Sequence, residues 1–294
     1  MKKQKGIVLV MVLVVIVLLT LVAGFITTTK RTDAALTFNL IDSVKGQALV
    51  QAGVEYTALR LLSIKTEEDW RPERGDLTWT FDDADLTISA QDARGLINLN
   101  STPNNIMQLF FENMGKTEEE AVELVDLIQD WRDKNKNHRL NGAEDDEYES
   151  LGLDYGAKDA NFQSIEELRL LPKMKDAFFQ QIKPYLTIQN SGGKVIPELA
   201  PEEVLRALPN LDESIVDDLL FNRHNATELN QIKKINIGQF FIIRVDIKQA
   251  DFNYSGQANI RLRGRAFNVL TWQYGLKPKT MTQPDNNNSS LENN

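Results

Sequence analysis

IVLVMVLVVIVLLTLVAGFI, residues Ile7 to Ile26, contains no charged side chain, and the reading of this stretch decides the rest of the chain. Wound as an α-helix, such a run reaches about 30 Å, the thickness of a bilayer's hydrocarbon core. MKKQKG (Met1–Gly6) precedes it with three Lys, and Lys30 and Arg31 end it. Lys2, Lys3 and Lys5 favour a cytoplasmic N-terminus. A cleaved secretory signal has a shorter apolar region followed by a small-residue cleavage site. This run is longer and no such site follows, so a helix retained in the membrane is expected, spanning Ile7–Ile26.

The helical pattern continues beyond the run. Ile41, Val44, Ala48, Ala52, Tyr56, Leu59 and Leu62 recur at spacings of three and four. No Pro interrupts Ile7–Lys65, so one helix of about 85 Å is predicted, half in a membrane and half packed on a globular head. A short basic leader ending in Gly6 directly before an apolar helix resembles a prepilin leader. That resemblance implies cleavage between Gly6 and Ile7 by prepilin peptidase, with methylation of the new amine. Most pilins have Glu at the fifth position after the cut, where this chain has Met11. A plain membrane anchor without cleavage is the alternative.

After a polar break at Thr66–Asp76, LTWTF (Leu77–Phe81) and LTISA (Leu86–Ala90) alternate apolar and polar residues around an Asp-rich turn, the pattern of a β-hairpin. From Asn98 to about Gln231 the pattern is helical. Thr117/Glu120 and Ser164/Glu167 form capping boxes, Pro103 and Pro201 suit first helical positions, and Asp212 suits an N-cap. Pro103, Ile106, Met107 and Phe110 match Pro201, Val204, Leu205 and Leu208 at an offset of 98. Each set precedes an apolar helix ending in Arg, at Arg132 and Arg223, which suggests two related subdomains. From Lys234 the two-residue period returns: Ile243, Val245 and Ile247, then Ile260 and Leu262 against Arg261, Arg263 and Arg265, then Phe267–Trp272. Two strand groups, each too small to form a stable sheet alone, flank the helical block.

The predicted class is therefore α+β: a pilin-like long N-terminal helix packed on an antiparallel sheet, with a large all-α domain inserted between strands. The predicted boundaries are a leader at 1–6, a spine and first strands at 7–97, and an inserted helical domain at 98–231. That insert divides into subdomains at about 98–190 and 195–231. The remaining strands fill 232–276, and a disordered Asn/Ser/Pro-rich tail fills 277–294.

Composition excludes several functions. Among 294 residues, 42 Asp and Glu outnumber 33 Lys and Arg, which gives a net charge of −9 and no footprint for nucleic acid. Zero Cys and two His (His138 and His224) remove thiolate and His-rich metal chemistry. A mean hydropathy of −0.33 excludes a multi-span membrane protein. No Gly-rich phosphate loop or nucleophile–base arrangement is visible, so no enzyme is expected. One rival reading is a membrane-anchored nucleic-acid-binding component of DNA uptake, because Glu166–Gln181 and Val204–Arg223 have helix-hairpin-helix character. Their turns, Leu171–Met174 and Leu208–Leu211, lack the Gly of phosphate-binding hairpins, and the charge is of the wrong sign.

Asp130–Glu149 carries seven carboxylates. Asp133, Asn135 and Asn137 hold the first, third and fifth places of an EF-hand-like spacing, and Glu144 holds the twelfth. The sixth place, which requires the sharp turn of Gly, is His138. Spacing leaves two readings open, a calcium loop on a path of its own or a solvated acidic loop.

RGLINLN (Arg94–Asn100), DWRDKNKNHRLNGAEDDEY (Asp130–Tyr148) and SIEELRLLPKM (Ser164–Met174), with the leader, resemble the K-type minor pseudopilin family of bacterial type II secretion systems. The resemblance runs from Gly6 to about Trp272, and Gly142–Tyr148 is its most specific part. That family lacks the pilin Glu, consistent with Met11. The resemblance implies a place at the pseudopilus tip beside I- and J-type subunits, in support of protein export. It also implies an inner-membrane anchor with a periplasmic head, and structural calcium. The ligands expected are Asp133, Asn135, Glu144 and Asp145, with Asn137 as a further candidate.

Overall fold

The computed structural model describes residues 5–64, 70–189, 192–224, 236–250 and 252–277, apart from the side chains of 5–8, 23–36, 38, 39 and 224. Helix α1 runs unbroken over Lys5–Ser63, about 88 Å at 1.5 Å per residue. The residues of the apolar run from Leu9 to Val22 stand exposed on it. Among the described residues no helix is long and apolar enough to cross a membrane, and the expected span Ile7–Ile26 extends beyond the side chains described. Residues 1–4 of the leader and the tail beyond 277 also lie outside those residues.

The upper half of α1 packs on a five-stranded antiparallel sheet of order β1-β2-β5-β6-β7. The strands are β1 (Leu77–Phe81), β2 (Ala84–Asp92), β5 (Phe240–Gln249), β6 (Phe252–Arg263) and β7 (Ala266–Tyr274). Asp82 and Asp83, with φ of 51° and 58°, close the first hairpin in two residues, the left-handed pair that matches strand twist. β2 pairs with β5 from Asp85↔Lys248 to Asp92↔Phe241, so the sheet closes across the whole insertion. Arg265 lies in the turn between β6 and β7 and not in a strand. Leu86, Ile88, Ile243, Val245, Ala258 and Ile260 point inward and meet Leu49, Val50, Val54, Ala58 and Leu61 of α1.

That contact keeps only part of the expected stripe: Tyr56 and Leu62 pack against the core, and the stripe's other members do not centre it. Ile41, Val44 and Leu59 are 55%, 58% and 61% exposed. The buried stripe includes Gly53, where a Cβ would come within 2.9 Å of both Val245 methyl carbons. Small residues let the helix backbone approach the sheet, and a pattern weighted by apolarity passes over them.

The inserted domain comprises α2 (Asn104–Asn113), α3 (Glu118–Arg132), α4 (Asp145–Ser150), α5 (Asp176–Ile182), α6 (Glu202–Leu205) and α7 (Glu213–His224). Among the described residues its regular structure is helical apart from a two-residue parallel ladder between β3 (Ile97–Asn98) and β4 (Leu186–Thr187). The Thr117 capping box opens α3, whereas the Ser164 box opens a 3-10 turn over Ile165–Leu170. Pro103 and Pro201 sit one residue earlier than expected, at the N-caps of α2 and α6. Asp212 caps α7 by accepting from the Ile215 N–H at 3.0 Å.

The internal repeat has a structural counterpart. Arg132 donates to the Leu99 carbonyl and Arg223 to the Pro197 carbonyl, and those acceptors stand 98 residues apart. Both halves contribute to one core, from Ile97 to Val216. The two hairpin turns place Lys173 (φ 65°) and Asn210 (φ 67°) in the conformation that Gly adopts most easily.

Candidate functional site

The acidic loop joins α3 to α4, and buried groups hold its path. Asp130, on the last turn of α3, is fully buried. Its carboxylate accepts from the Arg139 N–H at 2.9 Å and from the Arg139 guanidinium. A Cβ at Gly142 would lie 1.7 Å from its Oδ2, so only Gly fits beside it. Asp133 caps the C-terminus of α3, and its Oδ2 accepts from Arg139 at 2.7 Å. Asp133 Oδ1 takes the Asn135 N–H at 3.0 Å, and Asn135 Oδ1 takes the Asn137 N–H at 2.9 Å, two successive Asx turns. His138, at the sixth place, is not left-handed, so the loop does not follow an EF-hand path.

Glu144 is 4% exposed, and among the described residues neither of its carboxylate oxygens has a hydrogen-bond partner. Burial, and then the charges of Asp130, Asp159 and Asp133, push its carboxyl up to about 7. Asp145, the next residue, accepts from Lys136 Nζ at 2.9 Å, and the same ammonium reaches Asp159 Oδ2 at 2.6 Å. Asp159 Oδ1 is a second buried oxygen without a hydrogen-bond partner among these residues.

The structure thus brings Asp145 and Asp159 together across Lys136, with Glu144 within electrostatic reach of Asp159. Asp133 lies close enough for its charge to act on Glu144, but Asn135 and Arg139 occupy its oxygens. Asn135 and Asn137 serve the turns. Asp159 and Lys136 were missed from sequence because neither fits the loop spacing, and folding alone brings Asp159 back to Asp145. Among the described residues no three His, Asp or Glu side chains are already grouped to hold a metal ion. The donor set still suits a hard cation: all of it is oxygen, and the buried Glu144 carboxylate has no positive partner within hydrogen-bond reach.

A second surface bears on function. Leu40, Ile41, Val44 and Leu59 of α1 stand exposed and away from the sheet. One helix therefore carries an apolar stripe buried in its own head and another stripe left outward.

A family model described as "Type II secretion system (T2SS), protein K" matches residues 86–191. The type II secretion system protein K of Klebsiella pneumoniae is 23% identical, over 93% of this chain and 97% of that protein. The protein K of Pseudomonas aeruginosa is 29% identical over 46% of this chain and 45% of its own length. Among solved structures, a chain of the GspK-GspI-GspJ complex from enterotoxigenic Escherichia coli superposes with a TM-score of 0.57. It is 16% identical and covers 84% of this chain and 99% of its own.

Proposed function

We propose, from the premise that this chain belongs to the type II secretion system protein K family, that it is a minor pseudopilin at the pseudopilus tip. The role is structural and not catalytic: the chain supports pseudopilus assembly and the export of folded proteins. The observation that carries this reading is the doubled stripe of α1. Val50 and Val54 bind the chain's own sheet, while Ile41 and Val44 remain for a neighbouring subunit's helix. I- and J-type subunits are the proposed neighbours, on the strength of the complex that the fold matches. Met11 supports the tip position, because a subunit with nothing above it has no need of a Glu to pair with a neighbour's N-terminal amine. The helical insert, rising between β2 and β5, would obstruct a subunit stacked over it.

The proposal includes prepilin peptidase cleavage between Gly6 and Ile7, a single inner-membrane pass through Ile7–Ile26, and a periplasmic head. It also includes structural calcium in the acidic loop. Glu144, Asp145 and Asp159 form the centre, and Asp133, Asn135 and Asn137 are the loop donors. Calcium held there would supply the positive charge that Glu144 lacks.

Crosslinking from positions 40–44 in the assembled system tests the tip role. Adducts with I- and J-type subunits are expected. Adducts among many copies of this chain along a filament would refute it.

A further inference from the structure

Lys136 and Arg139 both form ion pairs within the acidic loop, and they differ in kind. Arg139 is tied to Asp130, whose side chain is 0% exposed, and to Asp133, so it belongs to the scaffold of the loop. Lys136 is 58% exposed and touches only the tips of Asp145 and Asp159. Its long stem and point charge let it leave into water without disturbing the fold. It stands between Asp145 and Asp159, yet it satisfies neither Glu144 oxygen nor Asp159 Oδ1.

We propose that Lys136 is a built-in competitor for the divalent cation. Its ammonium bridges Asp145 and Asp159 while calcium is absent and is released to solvent when calcium binds. This rests on the calcium reading above.

The physical argument is one of charge. One ammonium stands between two carboxylates, Asp145 and Asp159, and neutralises the pair incompletely. Two ion pairs of exposed geometry are weak enough to exchange, which suits a displaceable occupant and not a permanent one. Calcium brings twice the charge and accepts six to eight oxygens, so it satisfies the atoms that Lys136 leaves orphaned. Lys136 therefore limits affinity while sparing the metal-free loop part of its carboxylate repulsion.

The test uses the full chain in detergent, titrated calorimetrically with calcium chloride. Lys136→Met is expected to bind calcium roughly three- to tenfold more tightly than wild type, the scale of exposed ion pairs. It is also expected to melt at a lower temperature in chelator. Lys136→Arg is expected to keep affinity near wild type. A readout on the unaltered protein stands beside these: calcium should increase acetylation of Lys136 by a water-soluble ester, followed by mass spectrometry. Calcium binding with unchanged affinity in Lys136→Met, or acetylation indifferent to calcium, overturns the competitor role alone. No binding heat in wild type overturns the calcium reading itself.

Discussion

Glu144 is the residue on which the acidic loop turns. Its carboxyl, raised from 4.5 to about 7, binds a proton more tightly in the folded state than in the unfolded chain. The stability that this proton contributes is complete below about pH 4.5 and is lost as pH rises to about 7. In chelator, the melting temperature should therefore fall across that window, and Glu144→Gln should flatten the fall. An unchanged slope in the variant would show that other groups govern it. Calcium at about 100 times its Kd should stabilise the full chain by about 2.7 kcal/mol. Glu144→Gln should remove most of that gain, while substitution of the exposed Glu149 to Ala should leave it intact. Gly142→Ala should cost about 1–3 kcal/mol by forcing a methyl into the Asp130 carboxylate, read by thermal melting.

At the scale of elements, close approach decides more than propensity. Gly53 costs α1 intrinsic helix stability, since Gly lies about 1 kcal/mol below Ala in a helix interior. Gly53→Leu should nonetheless destabilise by about 1–3 kcal/mol, because its side chain would enter the space of Val245. A melting temperature equal to or above wild type would mean that helix and sheet can separate at no cost. The first hairpin has the opposite margin. Asp83 holds a φ of 58° that Gly adopts freely, so Asp83→Gly should stabilise by about 0.5 kcal/mol, read in the same melt. The repeated helix pairs show how a shared ancestry is held in place: Arg132 and Arg223 each satisfy a carbonyl left over before the first helix of its pair.

For the whole molecule, the critical join is where the insert leaves the sheet and returns. The Asp92 carboxylate accepts from the Arg94 N–H at 2.9 Å and from the Gly238 N–H at 3.1 Å, one on each crossing strand. Arg94 also reaches the Asn236 carbonyl at 2.6 Å, and Ile196 donates back to the Arg94 carbonyl at 2.9 Å. Asp92→Ala should cost about 3 kcal/mol, since it strands a guanidinium and a buried N–H. Hydrogen exchange should rise at 93–97 and 236–239 while the core of the sheet stays protected. Exchange that rises evenly over the molecule would mean that the join is not a separate unit. This clasp fixes the helical block over the sheet, the position on which the tip proposal depends.

The order of elements was legible in the sequence because each depends on neighbours in the chain. An uncharged run without Pro makes a helix, alternation around Asp82 and Asp83 makes a hairpin, and Thr117 with Glu120 opens α3. The return of the two-residue period after the helical block also pointed to one sheet closing across the insertion, as β2 and β5 do. Tertiary structure decided which stripe of α1 is buried. Hydrophobic periodicity reports how apolar a side chain is, whereas Gly53 reports how near a backbone can come. It also decided the company of Glu144, because a charge acts through space. Asp159 and Lys136 have no spacing rule that marks them, and only the folded chain sets both against Asp145.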